Sequence, residues 1–259
     1  MEIGDDLRVM RTTLWTLPCD EVHVWWTALD QPAASRRSLR QTLAPDEQLR
    51  ADRFCFASDR ERYIACRATL RGLLARYLRV TPAQVQLCYG SHGKPALAAN
   101  AHGNELQFNL SHSQGFALFA FARKRAVGVD IEHIRPIEDA EQIVERFFSL
   151  RERAAFRSLP TIQQIETFFN WWTWKEAFIK AIGDGLAYPL DQIDVSRAPD
   201  EPIRLCDAQG SWHMPACWFL RQPVSLAGYA AALVVEGDNW KVITRECPIG
   251  ELHTGASVH

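Results

Sequence analysis

The 259-residue chain lacks the features that mark several large classes of protein. No apolar run approaches the roughly 18–20 residues that a membrane-spanning helix needs. The N-terminus carries no apolar segment of signal-peptide length. The seven cysteines are scattered, odd in number and without a C-x-x-C pair, which argues against a disulfide framework and a thiolate zinc site. These absences predict a soluble, cytoplasmic protein with reduced thiols.

The chain also has no large excess of positive or of negative charge. The net charge is −2, with 29 Lys and Arg against 31 Asp and Glu, which argues against a nucleic-acid partner bound through bulk electrostatics. No G-x-S-x-G elbow is present, so serine-hydrolase chemistry is disfavoured. Neither a Walker loop nor G-x-G-x-x-G occurs. Any phosphate would therefore have to be held by side chains rather than by a glycine-rich loop.

The residues that are present predict a globular α+β protein. Hydrophobic residues make up 47% of the chain and charged residues 23%, which is enough for a sizeable core. Apolar periodicity predicts strands and helices in alternating groups. The expected strands are 21–29, 106–110, 116–122 and 126–132, with a short meander beyond 191. One expected helix begins at Pro45. Four others are expected at 63–78, 140–148, 150–159 and 162–182.

The order of these elements indicates two similar halves. Each half offers a long helix, a glycine-containing loop and several short strands. We therefore expect an N-terminal half at 1–124 and a C-terminal half at 125–248. Residues 249–259 are expected to form a disordered tail.

The segment 171–186, WWTWKEAFIKAIGDGL, places charges in an unusually apolar helix. Lys175, Glu176 and Lys180 are flanked by aromatic and aliphatic side chains. Burying a charge costs several kcal/mol, in rough terms, unless a partner compensates. One reading is a structural salt bridge between Glu176 and Lys180, which are four residues apart. The other is that these charges meet partners elsewhere in the chain.

Asp130 and Glu132 are candidates for those partners. They stand two apart on a predicted strand, so both side chains leave one face. Adjacent carboxylates repel each other unless a cation lies between them. Mg²⁺ is typically held by one or two carboxylates together with substrate phosphates and water. Glu176 could be a third carboxylate, although exposed strands often carry such acidic pairs without a metal.

Two loops could hold an anion. Ser111, His112 and Ser113 are predicted to form a tight turn whose donors would cradle a phosphate, or simply a surface turn rich in hydroxyls. Lys94, between Gly93 and Pro95, is a point charge on a constrained loop.

Arg50 and Arg53 belong to a run of arginines in the helix that begins at Pro45. A solvated helix face is the ordinary explanation for them, and binding of an acidic partner is the other.

Four motifs occur in order: GKP at 93–95, FNLSHS at 108–113, VGVDIE at 127–132, and W-x-x-K-E-A-x-x-K with GDGL at 172–186. Together they resemble the 4′-phosphopantetheinyl transferases of the Sfp type. The resemblance implies a pseudo-twofold monomer of two similar α+β halves with coenzyme A in the cleft between them. The implied reaction moves the phosphopantetheine arm of coenzyme A to a serine of an acyl or peptidyl carrier protein and releases 3′,5′-ADP.

The resemblance also implies roles for individual residues. Catalytic roles fall to Glu176 as base, either directly or through a metal-bound water, to Lys180 at the leaving phosphate, and to Asp130. Mg²⁺ would be held by Asp130, Glu132 and Glu176. Coenzyme A would be contacted by Arg50, Arg53, Lys94, Pro95, Ser111, His112, Asp130, Lys175 and Lys180. Glu47 departs from the family, since some members carry lysine there, and this shifts the expected nucleotide contact to Arg50 and Arg53.

Two other functions remain open at this point. One is a non-catalytic module that binds carrier proteins, and the other is a Mg²⁺-dependent nucleotide phosphohydrolase. No nucleic-acid or membrane partner is expected.

Overall fold

The protein is represented by a computed structural model that describes residues 15–90, 93–99, 105–183, 188–195, 202–205 and 218–247, together with Ile249 and Leu252. The helices are α1 Ala33–Thr42, α2 Pro45–Ala51, α3 Ala57–Leu78, α4 Ala140–Phe147, α5 Leu150–Ser158 and α6 Thr161–Ile182. The strands are β1 Glu21–Ala28, β2 Leu87–Tyr89, β3 Pro95–Leu97, β4 Leu106–Ser113, β5 Phe116–Arg123, β6 Val127–His133, β7 Ile193–Asp194, β8 Pro202–Leu205, β9 Trp218–Arg221, β10 Tyr229–Glu236 and β11 Lys241–Glu246.

The strands form two main sheets and one hairpin. The first sheet has the order β11-β1-β5-β4, and the second has the order β6-β10-β9-β8-β7. Strands β2 and β3 pair as a separate hairpin. All pairings are antiparallel except β1 with β11, which run parallel.

The two sheets lie face to face between the two long helices. Alternation along β5 sends Phe119 and Phe121 toward α3, and Leu118 and Ala120 toward the second sheet. Strand β10 divides its side chains in the same way between the first sheet and α6. The resulting layers are α3, first sheet, second sheet and α6, and the predicted α+β class is confirmed. The twofold relation between the halves stays a prediction.

Most predicted elements are present with small shifts at their ends. The stop of α6 at Gly183 is confirmed, because Gly183 has φ +88° and its N–H bonds the carbonyl of Ile179 at 2.8 Å. Gly185, the second predicted stop, lies outside the described residues. Strand β4 continues through Ser113, so the predicted turn at 111–115 is shorter than expected.

Strand β11 was not predicted, and it lies in the first sheet although it follows the second in sequence. The chain thus returns to its first half before it ends. Of the predicted tail, Ile249 and Leu252 are described, and Leu252 is buried in the core around α3. No helix in the described part of the chain is long and apolar enough to cross a membrane.

Candidate active site

A cleft of about 1100 Å³ is lined by both halves of the chain and collects most of the predicted site residues. The predicted residues that line it are Arg50, Lys94, Pro95, Ser111, His112, Asp130, Glu132, Glu176 and Lys180. They come from α2, the β2–β3 hairpin, β4, β6 and α6, so residues far apart in sequence meet in one place.

Two carboxylates of β6 form one wall of this cleft. Oδ1 of Asp130 accepts hydrogen bonds from Ser111 Oγ at 2.7 Å and from the Lys180 ammonium at 2.5 Å. Oε2 of Glu132 accepts a hydrogen bond from Ser113 Oγ at 2.9 Å. Burial, and then the charge of Asp130, raise the pKa of Glu132. The electrostatic crowding that the two-residue spacing predicts is therefore present.

Gly128 explains how α6 comes within reach of these acids. A Cβ atom at Gly128 would stand 1.9 Å from the carbonyl oxygen of Ala177 and 2.5 Å from the nitrogen of Ala181. Only glycine allows the helix backbone to pack against β6 so closely. Because Glu176 and Lys180 each precede one of these alanines, the same contact brings both side chains to the cleft.

Glu176 has an unusual protonation equilibrium for a carboxyl group. Burial, followed by the charge of Asp130, raises its pKa to about 6. Among the ion pairs of the described residues, Lys180 is joined to Asp130 and not to Glu176. The alternative of a Glu176–Lys180 salt bridge is therefore not what the fold forms. A carboxyl that titrates near neutrality has the properties of a general base.

The Ser111-His112-Ser113 segment lies on strand β4 and not in a turn. The turn is confined to the next residues, because Gln114 takes a left-handed conformation with φ +49°. Ser111 is buried and bonded to Asp130 and Lys180, whereas His112 is exposed at the cleft surface. Desolvation by the surrounding protein, then the charge of Lys180, lower the pKa of His112.

Lys94 reaches from the hairpin to the C-terminal end of α6. Its ammonium donates to the carbonyl of Lys180 and, at 3.5 Å, to that of Ala181. A cation is favoured at this end of a helix, where the last carbonyls lack donors from the following turn. Burial lowers the pKa of Lys94. Lys94 thus connects the two halves in addition to lining the cleft.

Arg67 and Tyr89 also line the cleft, and neither was predicted from the sequence. The Arg67 guanidinium donates twice to Oε1 of Glu47, at 3.0 and 2.7 Å, and once to the Tyr89 hydroxyl at 2.6 Å. Glu47 is only 2% exposed and also pairs with Arg71. Two arginines four residues apart in the apolar middle of the helix, at 64–75, were the available signal. Glu47 therefore holds Arg67 in place at the cleft.

One predicted coenzyme A contact is corrected by the structure. Lys175 is fully buried, and its ammonium bonds Glu152 at 2.8 Å and the carbonyls of Leu190 and Ile193 at 2.8 and 2.5 Å. It faces a structural partner because its helix position turns it away from the cleft that Glu176 lines.

The coenzyme A contact of Arg53 stays a prediction, although its placement on a helix was wrong. Helix α2 ends at Ala51, so Arg53 follows the helix that was expected to carry it. It is exposed and lines a separate depression beside the cleft, to which Arg50 and Phe54 also contribute.

The donor set of the cleft is suited to a hard cation, although it is not a finished metal centre. Oδ2 of Asp130 is buried and has no hydrogen-bond partner, so it has a lone pair to offer. Asp130, Glu132 and Glu176 all supply carboxylate oxygens, which are ligands that Mg²⁺ prefers. No three His, Cys, Asp or Glu side chains among the described residues already converge into a metal cluster. A cation would therefore need further ligands from a substrate or water.

Comparisons with known proteins agree on one family. Residues 126–234 match the model of the 4′-phosphopantetheinyl transferase superfamily, and residues 25–124 match the model of the 4′-phosphopantetheinyl transferase N-terminal region. The chain is 44% identical to the 4′-phosphopantetheinyl transferase HetI of Nostoc sp., over 87% of this chain and 92% of that protein. It is 28% identical to the 4′-phosphopantetheinyl transferase Sfp of Bacillus subtilis, over 68% of this chain and 77% of that protein. The chain belongs to the 4′-phosphopantetheinyl transferase superfamily.

Proposed function

We propose that the cleft transfers the phosphopantetheine arm of coenzyme A to a serine of an apo acyl or peptidyl carrier protein. The observation that carries this proposal is the meeting of Asp130, Glu132, Glu176 and Lys180 in a cleft that is also lined by Lys94 and His112. The basic side chains can donate to phosphate oxygens directly, and the carboxylates can bind them through a cation, which suits a substrate dense in phosphate.

Coenzyme A would lie along the cleft with its phosphates near the positive side chains. Arg50, Lys94 and His112 line the half-cleft contributed by the N-terminal part of the chain. Arg67, fixed by Glu47, adds a guanidinium whose direction is set before the substrate arrives. Preorganised cations are effective because little reorganisation is needed on binding.

Glu176 is proposed as the base of the transfer. It removes the proton from the carrier serine hydroxyl as the oxygen attacks the β-phosphorus of coenzyme A. A bond forms between the serine oxygen and this phosphorus, and the bond from the phosphorus to the bridging oxygen of 3′,5′-ADP breaks. Lys180, already in the cleft beside Asp130, stabilises the charge that develops on the departing phosphate.

Mg²⁺ is proposed as the metal, held by Asp130, Glu132 and Glu176 with the pyrophosphate of coenzyme A. When bound, it would neutralise the charge of the pyrophosphate. The unpartnered Oδ2 of Asp130 supports this assignment. Lys180 lies on the other oxygen of the same carboxylate, so the two cations need not compete for one lone pair.

We also propose that the enzyme works as a monomer in the cytoplasm. One chain supplies all the residues of the cleft named above, so no second subunit is required. The five cysteines that the structure describes are free thiols, which suits a reducing compartment.

The decisive experiment is the intact mass of an apo carrier protein after incubation with the purified enzyme, coenzyme A and Mg²⁺. A gain of one phosphopantetheine is expected, and it should disappear without coenzyme A. Release of phosphate without a mass gain would instead indicate a nucleotide phosphohydrolase. Retention of the carrier protein with neither change would indicate a non-catalytic binding module.

A further inference from the structure

The edges of the two sheets meet along β4 and β6. Each strand ends its own sheet, so β4 and β6 are not paired through a backbone ladder. Asn109, Ser111 and Ser113 occur at every second position of β4, and all three side chains bond residues of β6. We call these three residues the polar bridge.

The outer members of the polar bridge bond backbone donors of β6. Oδ1 of Asn109 accepts the N–H of Val129 at 2.8 Å, and Oγ of Ser113 accepts the N–H of His133 at 3.1 Å. An edge strand otherwise presents such donors unpaired. Side chains of one half thus fix the edge strand of the other.

Ser113 has a second contact that reaches the site. A serine hydroxyl has one proton to donate, and here its oxygen also accepts the N–H of His133. The proton is therefore directed at Oε2 of Glu132, 2.9 Å away. Glu132 lines the cleft, whereas Ser113 is not among the described residues that line it. Glu132 is the cleft residue whose side chain Ser113 contacts, so we expect Ser113 to act on the reaction through it.

We propose that Ser113 is a positioning residue that holds Glu132 in the orientation needed for Mg²⁺ binding. Without the hydroxyl, the ion pair of Oε2 of Glu132 with Arg135, at 3.9 Å, would draw the carboxylate toward the surface. The inference rests on the proposed function, in which Glu132 binds Mg²⁺. Ser113, in the N-terminal half, would thus orient the proposed metal ligand Glu132 in the C-terminal half.

The test compares Ser113→Val with Ser113→Thr, which have the same branched shape and differ in the hydroxyl. Loss of a hydrogen bond behind a metal ligand typically lowers metal affinity by about 10–100-fold. We therefore expect Ser113→Val to need about 10–100-fold more Mg²⁺ than the natural protein for half-maximal coenzyme A binding. Calorimetry measures this binding. Ser113→Thr should stay within about twofold of the natural protein, and excess Mg²⁺ should restore turnover of Ser113→Val.

Thermal unfolding checks that each variant is folded, and Ser113→Ala replaces Ser113→Val if valine prevents folding. Equal Mg²⁺ dependence of the valine and threonine variants would overturn the positioning role. So would a loss of coenzyme A affinity in Ser113→Val that excess Mg²⁺ does not restore, because that indicates direct contact.

If the natural protein transfers phosphopantetheine without Mg²⁺, the positioning inference fails while the transfer itself stands. If the natural protein binds coenzyme A with Mg²⁺ and transfers no phosphopantetheine, the proposed activity fails. The positioning role of Ser113 is then still tested by the calorimetric Mg²⁺ dependence.

Discussion

At the scale of single residues, the environment of Glu176 decides its chemistry. Burial and the neighbouring Asp130 raise its pKa to about 6, so the base form is lost as the pH falls through that value. The ratio kcat/KM reports such groups in the free enzyme. We expect kcat/KM to fall below about pH 6, and Glu176→Gln to slow transfer by about 10²–10⁴-fold at neutral pH, measured by steady-state turnover.

The control is Glu166→Gln, which removes the same charge from an exposed position of α6. It should retain the natural rate, and both variants should unfold at nearly the natural temperature. A Glu176→Gln enzyme that turns over normally would remove Glu176 from the mechanism.

Lys175, the residue before Glu176, has a structural task. Its ammonium and the Glu152 carboxylate are both fully buried, so removal of one leaves the other charge uncompensated. We expect Lys175→Met to lower the free energy of unfolding by about 3–5 kcal/mol, measured by urea titration. Below its unfolding temperature the variant should bind coenzyme A with unchanged affinity, since Lys175 does not line the cleft.

The double variant Lys175→Met with Glu152→Leu is the matched control, because it removes both charges and should recover part of the lost stability. A stable Lys175→Met protein with weakened coenzyme A binding would instead return Lys175 to the cleft.

Residues 175 and 176 differ in how well their surroundings can be predicted from the sequence. Periodicity placed Asp130 and Glu132 on one face of a strand and Glu176 on a helix, but it was the family resemblance that joined the three acids in one predicted site. Periodicity could not predict the partner of Lys175, because Glu152 is 23 residues away on another helix. Arg67 was missed for a similar reason, since its partner Glu47 belongs to a different helix.

At the scale of elements, the contact between α6 and β6 depends on one glycine. Gly128→Ala would push a methyl group into the backbone at Ala177, and a helix carbonyl cannot rotate away as a side chain could. We expect the variant to lose about 1–3 kcal/mol of stability, the usual range for overpacking, measured by urea unfolding. Turnover should fall as well, because Glu176 and Lys180 move with the helix.

Gly90→Ala provides the comparison, since a Cβ there would meet its nearest neighbour, the Lys94 carbonyl, at an ordinary 3.8 Å. It should be nearly as stable and active as the natural protein. If Gly128→Ala behaves identically to Gly90→Ala, the close packing of α6 on β6 is not what positions the site.

Element boundaries were predictable where a local signal sets them and not elsewhere. Pro45 and Gly183 start and stop their helices as expected. The turn after β4 was placed too early, because Ser111-His112-Ser113 is typical of a turn in sequence, whereas its two serines bond the neighbouring sheet edge. Strand β11 was missed because its pairing with β1 joins segments more than 200 residues apart.

At the scale of the whole molecule, β11 couples the two halves. It follows β10 of the second sheet and then pairs in parallel with β1, which begins the first sheet. The core around α3 also includes Cys247, just beyond the strand. The first sheet is therefore incomplete until β11 has been added, and we expect both sheets to unfold together.

Two proline substitutions in β11 test this coupling. The N–H groups of Lys241 and Cys247 donate to Asp20 and Trp26, so the odd-numbered donors of the strand face β1. Ile243→Pro should break the ladder, whereas Val242→Pro removes a donor that points away from it. A lost buried hydrogen bond costs about 1–3 kcal/mol, and each kcal/mol lowers Tm by about 2–4 °C in a chain of this size. We expect Ile243→Pro to lower Tm by several degrees more than Val242→Pro, with near-UV and far-UV circular dichroism reporting one shared transition. If Ile243→Pro splits the two signals into separate transitions, the halves are stable independently and β11 does not couple them.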